Sequence, residues 1–249
     1  MAMVSAAVAA SEEGSMRVSM VRSYGNFDSA VEGRYGLFMH IAVLMLALMT
    51  IAPPAWAEAA KPIRLVVLGD SLSAGLGLPA QEAFPQKLKK ALQAKGIEVD
   101  MINAGVSGDT SSGGRDRLDW SVPDGTDGVI VELGANDALR GIDPDLTRAA
   151  LTDIIQRLKA RKIAVMLCGM LAPPNYGADY AARFNSIYPD LAKKFDVPLY
   201  PFFLEGVAAD AKLNQADGIH PTAEGVDIIV GNIMPTVEAF IGTIAEQRR

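Results

Sequence analysis

The chain has 249 residues, 50% of them hydrophobic, and a formal net charge of −6 at pH 7. This length and composition are typical of one globular domain and exclude a disordered chain. Because the sequence contains no basic tract, it also argues against nucleic-acid binding through phosphate contacts and against strong electrostatic adhesion to anionic lipid.

The first 57 residues differ from the rest of the chain. Arg34 precedes an apolar run from Ile41 to Ala52, and Pro53-Pro54-Ala55-Trp56-Ala57 follows that run. An apolar run of this length before a small-x-small site is typical of a secretory signal peptide and is too short to span a bilayer comfortably. We therefore expect residues 1–57 to be an N-terminal extension with a signal peptide, cleaved after Ala57. A periplasmic or secreted domain without a stable membrane anchor would then cover residues 58–249; an uncleaved anchor is the alternative.

From residue 63 onward, short β-branched runs alternate with longer amphipathic stretches, which is the pattern of parallel strands joined by crossover helices. The predicted strands are Ile63–Leu68, Ile97–Ile102, Gly128–Leu133, Ile163–Cys168 and Val197–Tyr200. The predicted helices are Phe84–Ala94, Pro144–Lys159, Tyr180–Phe195 and Thr222–Ile244. This order predicts one α/β/α layered domain, in which ligands bind beyond the carboxyl ends of the strands.

Small and polar residues follow the first two predicted strands. Ser71 lies in the segment Gly69-Asp70-Ser71-Leu72-Ser73, where the strand runs into a tight turn, so it is either an exposed nucleophile or a cap residue. The glycine-rich segment 103–114 can present backbone N–H groups to a ligand, but a helix-entry loop with an N-cap explains the same composition. Taken singly, both segments favour local structure over catalysis.

The segment Gly75-Leu76-Gly77-Leu78-Pro79-Ala80 matches the Gly-x-Gly-x-x-Ala pattern of dinucleotide sites, with Asp100 further along the chain. Its first glycine comes well after the strand, which ends at Leu68, and Pro79 interrupts the start of the helix that such a site needs. We therefore expect no nicotinamide or flavin cofactor.

The third predicted strand is followed by Asn136, which can donate hydrogen bonds without adding charge, although a turn explains it equally well. His220 is the only histidine beyond residue 57, so a zinc site built from several imidazoles is excluded. Asp217 precedes His220 by three residues, with Gly218 between them to permit a tight turn. Its carboxylate can reach the Nδ1–H of His220 and leave Nε2 free to take a serine proton. A helix-capping Asp beside a surface His is the alternative.

Taken in order, these segments resemble the sequence blocks of the SGNH hydrolases, also called the GDSL esterase/lipase family. The resemblance implies a nucleophile at Ser71 and a triad completed by Asp217 and His220. It also implies an oxyanion hole formed by the backbone N–H groups of Ser71 and Gly108 and the side chain of Asn136. Within the family, Ser107–Ser111 and Pro174–Gly177 resemble the periplasmic thioesterase, lysophospholipase and arylesterase subfamily.

That subfamily implies a three-layer α/β/α, flavodoxin-like sandwich with a central five-stranded parallel sheet, and a chemistry that needs no metal or organic cofactor. We therefore predict a serine esterase that hydrolyses acyl esters or thioesters, such as lysophospholipids, acyl-CoA or aryl esters, through an acyl-enzyme. Its substrate would be a small-molecule ester or a lipid; we expect no nucleic-acid partner, and a monomer.

The apolar loop that contains Leu171, Pro174 and Tyr176 is predicted to bind the acyl chain, although its prolines also suit rigid packing. Two other functions stay open. One is a carbohydrate acetylesterase of the same superfamily, and the other is a non-catalytic, membrane-anchored lipid-binding protein.

Overall fold

The computed structural model describes residues 61–249, and Ala60–Arg249 forms one compact unit. The predicted N-terminal extension, the signal peptide, the cleavage after Ala57 and the domain boundary at residue 58 lie outside the described residues.

Five strands and nine helices alternate along the described part of the chain. The strands are β1 (Ile63–Gly69), β2 (Val99–Gly105), β3 (Gly128–Glu132), β4 (Ala164–Cys168) and β5 (Leu199–Tyr200). The helices are α1 (Ser71–Ala74), α2 (Phe84–Ala94), α3 (Ser111–Asp116), α4 (Leu118–Ser121), α5 (Ala135–Leu139), α6 (Pro144–Ala160), α7 (Ala178–Asn185), α8 (Ile187–Phe195) and α9 (Ala223–Gln247). Single 3-10 turns occur at Ala80–Glu82 and Pro174–Tyr176.

The strands form one parallel sheet in the order β2-β1-β3-β4-β5, which is the order of flavodoxin. Helices α2 and α9 pack against each other and against β2 and β1, while α6 and α8 pack against each other and against β4. Because helices cover the sheet, strand residues such as Leu65–Leu68 are completely buried. The predicted three-layer α/β/α, flavodoxin-like architecture is confirmed.

Helix α9 is the one helix within residues 61–249 that is long and apolar enough to cross a membrane. Ten of its residues, among them Ile229, Ile233 and Phe240, are buried. Packing in the core of the domain therefore accounts for its apolar composition.

The second strand begins later than its apolar pattern predicts. Gly96 has a φ of +76° and ends α2, and the Ile97 N–H donates to the carbonyl of Leu92 at 3.0 Å. This helix termination uses the backbone of Ile97, so β2 starts only at Val99.

The predicted helix Tyr180–Phe195 consists of two helices, α7 and α8, that meet at Ser186. Pro189 explains the break, because it has no N–H and its ring would clash with the carbonyl of Asn185 in a continuous helix.

Candidate active site

The carboxyl ends of the three strands β1, β2 and β3 lie at the same level. Gly69, the last residue of β1, pairs with Gly105 of β2 on one side and with Glu132 of β3 on the other. Chain connections leave β1 and β3 in opposite directions, which opens a crevice at this edge. Ser71 and Asn136 follow these strand ends within a few residues. The sheet topology therefore brings the predicted segments together.

Ser71 is the first residue of the short helix α1 and is 7% exposed. Asp70 caps this helix, because its carboxylate accepts the Leu72 N–H at 3.0 Å. The turn is crowded: a Cβ on Gly69 would collide with the side chain of Ser73. A glycine before the serine is therefore needed for the strand to run directly into the turn.

His220 links the last loop to Ser71. Its Nε2 lies 2.8 Å from Ser71 Oγ, and its Nδ1 lies 2.7 Å from Asp217 Oδ2. A carboxylate at Nδ1 holds the proton on that nitrogen and leaves Nε2 to accept the serine hydroxyl. The loop itself is fixed by a bond of 2.7 Å from the Gln215 N–H to the carbonyl of His220. The arrangement is that of a nucleophile, a base and an orienting carboxylate.

Asp217 is anchored by its own loop. Its Oδ1 accepts the backbone N–H groups of Ile219 and His220, each at 3.0 Å. The bond from Ile219, followed by that from the His220 ring, lowers the pKa of Asp217 from 3.8 to about 2. Asp217 is therefore ionised at neutral pH, although nearly half of its side chain is exposed.

The predicted oxyanion-hole residues Gly108 and Asn136 line the same cleft as Ser71 and His220. Gly108 has a φ of +83°, in the left-handed region that favours glycine. Among the hydrogen bonds formed within residues 61–249, none uses the backbone N–H of Ser71 or of Gly108 as donor. Both groups are therefore available to a ligand.

Two residues without a predicted role hold the Asn136 amide. Asn136 Nδ2 donates to Asp70 Oδ2 at 3.1 Å. Arg140 Nη2 lies 3.4 Å from Asn136 Oδ1 and donates to the carbonyl of Gly108 at 2.8 Å. The nitrogen of the amide is thus held by Asp70 and its oxygen by Arg140. These two contacts fix the orientation of the amide, and with it the position of the N–H donors. Asp70 adjoins the nucleophile and Arg140 follows Asn136 by one helical turn, but neither position alone predicts these contacts.

Two acidic residues lie beneath the site. Glu132 is completely buried and accepts the hydroxyl of Ser73 at 2.6 Å. Burial raises the pKa of Glu132 well above its usual value, and Asp70 nearby raises it further. Burial also raises the pKa of Asp70 to about 6, against the bonds from Leu72 and Asn136 that favour its charge. Burial therefore favours the protonated form more strongly at Glu132 than at Asp70.

A cleft of about 510 Å³ opens beside Ser71 and His220. Its walls are largely apolar and include Leu72, Leu76, Leu139, Met170, Leu171 and Ile219. Of the predicted substrate-binding residues, Leu171 and Pro174 line the cleft. Tyr176 is not among the lining residues; its hydroxyl donates to the carbonyl of Leu139 at 2.8 Å, and its ring lies against Gly141. Tyr176 thus contacts Leu139, a residue of the wall, without lining the cleft itself.

Residues 61–249 contain no group of three or more His, Cys, Asp or Glu side chains arranged to hold a metal ion. Cys168, the chain's single cysteine, is completely buried at the end of β4, and burial raises the pKa of its thiol well above the usual value. A protonated, inaccessible thiol is a poor nucleophile. Ser71 is therefore the candidate nucleophile of the cleft.

Residues 67–228 match the model of the GDSL-like Lipase/Acylhydrolase family. The matched range contains all five predicted catalytic and oxyanion-hole residues, namely Ser71, Gly108, Asn136, Asp217 and His220.

The chain is also similar to individual proteins. It is 41% identical over 191 residues to thioesterase 1/protease 1/lysophospholipase L1 of Escherichia coli K12, and this alignment covers 76% of this chain and 88% of the relative. It is 42% identical over 162 residues to an arylesterase of Vibrio mimicus, and this alignment covers 65% of this chain and 81% of the relative. A crystal structure of TesA matches with a TM-score of 0.68 and 38% identity, over 71% of this chain and 99% of that one.

Proposed function

Because this chain belongs to the GDSL-like lipase and acylhydrolase family and is a carboxylic ester hydrolase, we propose that it cleaves acyl esters and thioesters through a triad of Ser71, His220 and Asp217. One observation carries the proposal. It is the unbroken series of contacts from Ser71 Oγ to His220 Nε2, 2.8 Å, and from His220 Nδ1 to Asp217 Oδ2, 2.7 Å. The Ser71 end of this series lies in an apolar cleft of a size suited to an acyl chain.

In the proposed acylation step, Ser71 Oγ attacks the acyl carbonyl carbon while His220 Nε2 takes the hydroxyl proton. The tetrahedral intermediate then collapses, His220 returns the proton to the leaving oxygen or sulfur, and the acyl group stays on Ser71 as an ester. Water repeats the sequence in place of the serine and releases the carboxylic acid. Asp217 is ionised because its pKa is low, and it stabilises the imidazolium in both steps.

The negative charge that develops on the carbonyl oxygen would be met by the backbone N–H groups of Ser71 and Gly108 and by the side chain of Asn136. Their availability supports this role, because hydrogen bonds within residues 61–249 use neither backbone group. Asp70 and Arg140 hold the Asn136 amide in one orientation. Removing one donor of this kind typically costs about 3–4 kcal/mol of transition-state stabilisation.

The lining of the cleft indicates the class of substrate. Apolar side chains such as Met170, Leu171 and Ile219 suit an acyl chain and offer few partners to the hydroxyl groups of a sugar. The relatives are named as thioesterase, lysophospholipase and arylesterase. We therefore propose acyl thioesters, lysophospholipids and aryl esters as substrates, in preference to acetylated carbohydrates.

We also propose that the enzyme acts in the periplasm or outside the cell as a protein without a retained membrane anchor. The support is the sequence pattern of an apolar run followed by Ala55-Trp56-Ala57.

A substrate panel tests the proposed function. Acyl-CoA, lysophosphatidylcholine, 4-nitrophenyl esters and acetylated sugars, the first three at several chain lengths, are compared between the enzyme and Ser71→Ala. We expect hydrolysis of the first three classes and a loss of at least about 10³-fold in kcat in the variant.

Fluorophosphonate labelling supplies the second measurement. Ser71→Ala should lose covalent labelling while its circular dichroism spectrum is unchanged, and Ser186→Ala, a distant hydroxyl that donates to the Arg183 carbonyl, should keep it. Labelling of Ser71→Ala would remove Ser71 from the chemistry. A preference for acetylated sugars would replace the proposed substrate class.

A further inference from the structure

We propose that Arg117 is a positioning residue that fixes the oxyanion-hole loop relative to the nucleophile turn; this inference rests on the proposed function. Arg117 is 6% exposed and is absent from the lining of the cleft. It therefore acts through its neighbours. Its guanidinium donates to the carbonyl of Gly69 at 2.8 Å, to Asp109 Oδ2 at 2.5 Å and to Ser121 Oγ at 2.9 Å.

The carbonyl of Gly69 is the point at which the two catalytic segments meet. Gly69 directly precedes Asp70 and Ser71, and its carbonyl also accepts the Val106 N–H at 3.0 Å. The carbonyl of Val106 in turn accepts the Asp109 N–H at 3.1 Å, which closes a turn around Gly108. The start of this turn is thus bound directly to the end of β1.

Arg117 binds the other end of the same turn. By donating to both Gly69 and Asp109, the guanidinium connects the strand that carries the nucleophile to the residue after Gly108. The distance between the two proposed backbone donors, the N–H groups of Ser71 and Gly108, is therefore set by bonds at both ends of the turn.

The chemistry of this connection favours arginine. The side chains of Arg117 and Asp109 are 7% and 18% exposed, so their ion pair lies in a low-dielectric environment where it is only weakly screened by water. A planar guanidinium presents several N–H donors in a fixed fork, whereas a lysine ammonium is a flexible point charge. A lysine at this position can bind Asp109 or Gly69 but cannot reproduce the arrangement of bonds to Gly69, Asp109 and Ser121.

Two substitutions test the proposal. Arg117→Met removes the donors, and we expect kcat to fall about 10²-fold with little change in KM, because displaced oxyanion donors act on the transition state and not on the bound acyl chain. Arg117→Lys should give an intermediate kcat. An alkylboronic acid forms a tetrahedral adduct with a catalytic serine, and its affinity should fall by about the same factor as kcat. The affinity for a fatty acid product should be unchanged.

Arg161→Met is the matched control, because Arg161 also donates to a backbone carbonyl, that of Val122 at 2.7 Å, and is likewise absent from the cleft lining. It should keep the kcat of the enzyme even where its melting temperature falls. Should Arg117→Met fail to fold, Arg117→Lys carries the test alone.

A kcat within about twofold of the enzyme in the folded Arg117 variants would overturn the inference, and so would a change confined to melting temperature or KM. Retained activity in Ser71→Ala would instead overturn the proposed function itself. An inactive Ser71→Ala together with unaffected Arg117 variants would overturn the positioning role alone.

Discussion

Asp70 stands between two N–H donors, a position that a neutral isostere cannot fill. One carboxylate oxygen accepts the Leu72 N–H at 3.0 Å, and the other accepts Asn136 Nδ2 at 3.1 Å. An amide has a single acceptor oxygen, so Asp70→Asn must place a donor against a donor at one of these contacts. We expect kcat to fall about 10²-fold or more, with a smaller change in KM, because Asn136 loses its orientation.

Steady-state hydrolysis of a 4-nitrophenyl ester measures this effect. Asp190→Asn, which changes an exposed carboxylate paired with Arg148, is the control and should leave kcat unchanged. Normal kcat in Asp70→Asn would show that Asn136 keeps its orientation without the Asp70 carboxylate.

The pKa values of Asp70 and Asp217 are shifted in opposite directions. Their contributions to the stability of the fold therefore change with pH in opposite directions. The pKa of Asp217 is lowered from 3.8 to about 2, chiefly by the bond from Ile219. Its stabilising contribution is present above the unfolded value and is lost as pH falls through about 2. The pKa of Asp70 is raised to about 6 by burial, so its contribution is present below the unfolded value and is lost as pH rises through about 6.

Melting temperatures between pH 2 and pH 7 test both signs. The difference in melting temperature between the enzyme and Asp217→Asn should shrink as pH falls from about 4 to about 2. The difference in melting temperature between the enzyme and Asp70→Asn should instead shrink as pH rises from about 4 to about 6. Differences that do not vary with pH would contradict the shifts.

The residues that perform the proposed chemistry were accessible to sequence reasoning, whereas those that hold them were not. His220 could be selected by elimination, since it is the only histidine beyond residue 57, and its spacing from Asp217 sufficed for a local contact. Arg117 instead reaches the carbonyl of Gly69, 48 positions earlier in the chain. Such a contact depends on how the assembled domain places Arg117, between α3 and α4, against the end of β1. A side chain that binds a distant backbone carbonyl leaves no periodic signal in the sequence.

At the scale of secondary structure, hydrophobic runs predicted the five strands and their order in the sequence, because strands covered on both faces are continuously apolar. The start of β2 was missed because Gly96 ends α2 with a turn in which the Ile97 N–H bonds to the carbonyl of Leu92. The helices α1, α3, α4 and α5 were also missed. With four to six residues each, they are too short to show helical periodicity, yet α1 and α5 carry Ser71 and Asn136.

The start of α5 depends on Gly134. This residue has a φ of +117°, and an added Cβ would collide with the hydroxyl of Tyr188, which donates to the carbonyl of Leu133 at 2.7 Å. Gly134→Ala should destabilise the fold by more than the ~1–2 kcal/mol of left-handed strain alone. It should also lower kcat, because the helix that carries Asn136 must shift.

Urea unfolding and kcat, measured together, test this prediction. Gly96→Ala is the matched control, since Gly96 has a φ of +76° with open space around it. This variant should lose only the stability that corresponds to the left-handed strain, and its kcat should be normal. Adding Tyr188→Phe to Gly134→Ala removes the opposing oxygen and should recover part of the activity. Equal losses of stability in the two glycine variants would contradict the steric account.

At the scale of the whole molecule, the proposed catalytic contact joins the first and last loops of the sheet edge. Ser71 and His220 are 149 positions apart in sequence and 2.8 Å apart in space. Their approach requires the complete strand order and the packing of α9, whose buried apolar face rests on the core. The fold class followed from the order of elements, but this distance could be known only from the assembled domain.

Every proposed catalytic and oxyanion-hole residue lies within the compact unit Ala60–Arg249. We therefore expect a chain that begins at Glu58 to fold and to have the same kcat and KM as the enzyme produced from the full-length chain, with circular dichroism and steady-state kinetics as the measurements.

The predicted signal peptide is tested separately. Mass spectrometry of the enzyme produced from the full-length chain should find Glu58 at its amino terminus. Replacing Ala55 and Ala57 by leucine removes the small side chains that signal peptidase requires and should retain the protein at the membrane. An inactive chain from Glu58 would show that residues 1–57 contribute to the active domain, and a different amino terminus would contradict the predicted cleavage after Ala57.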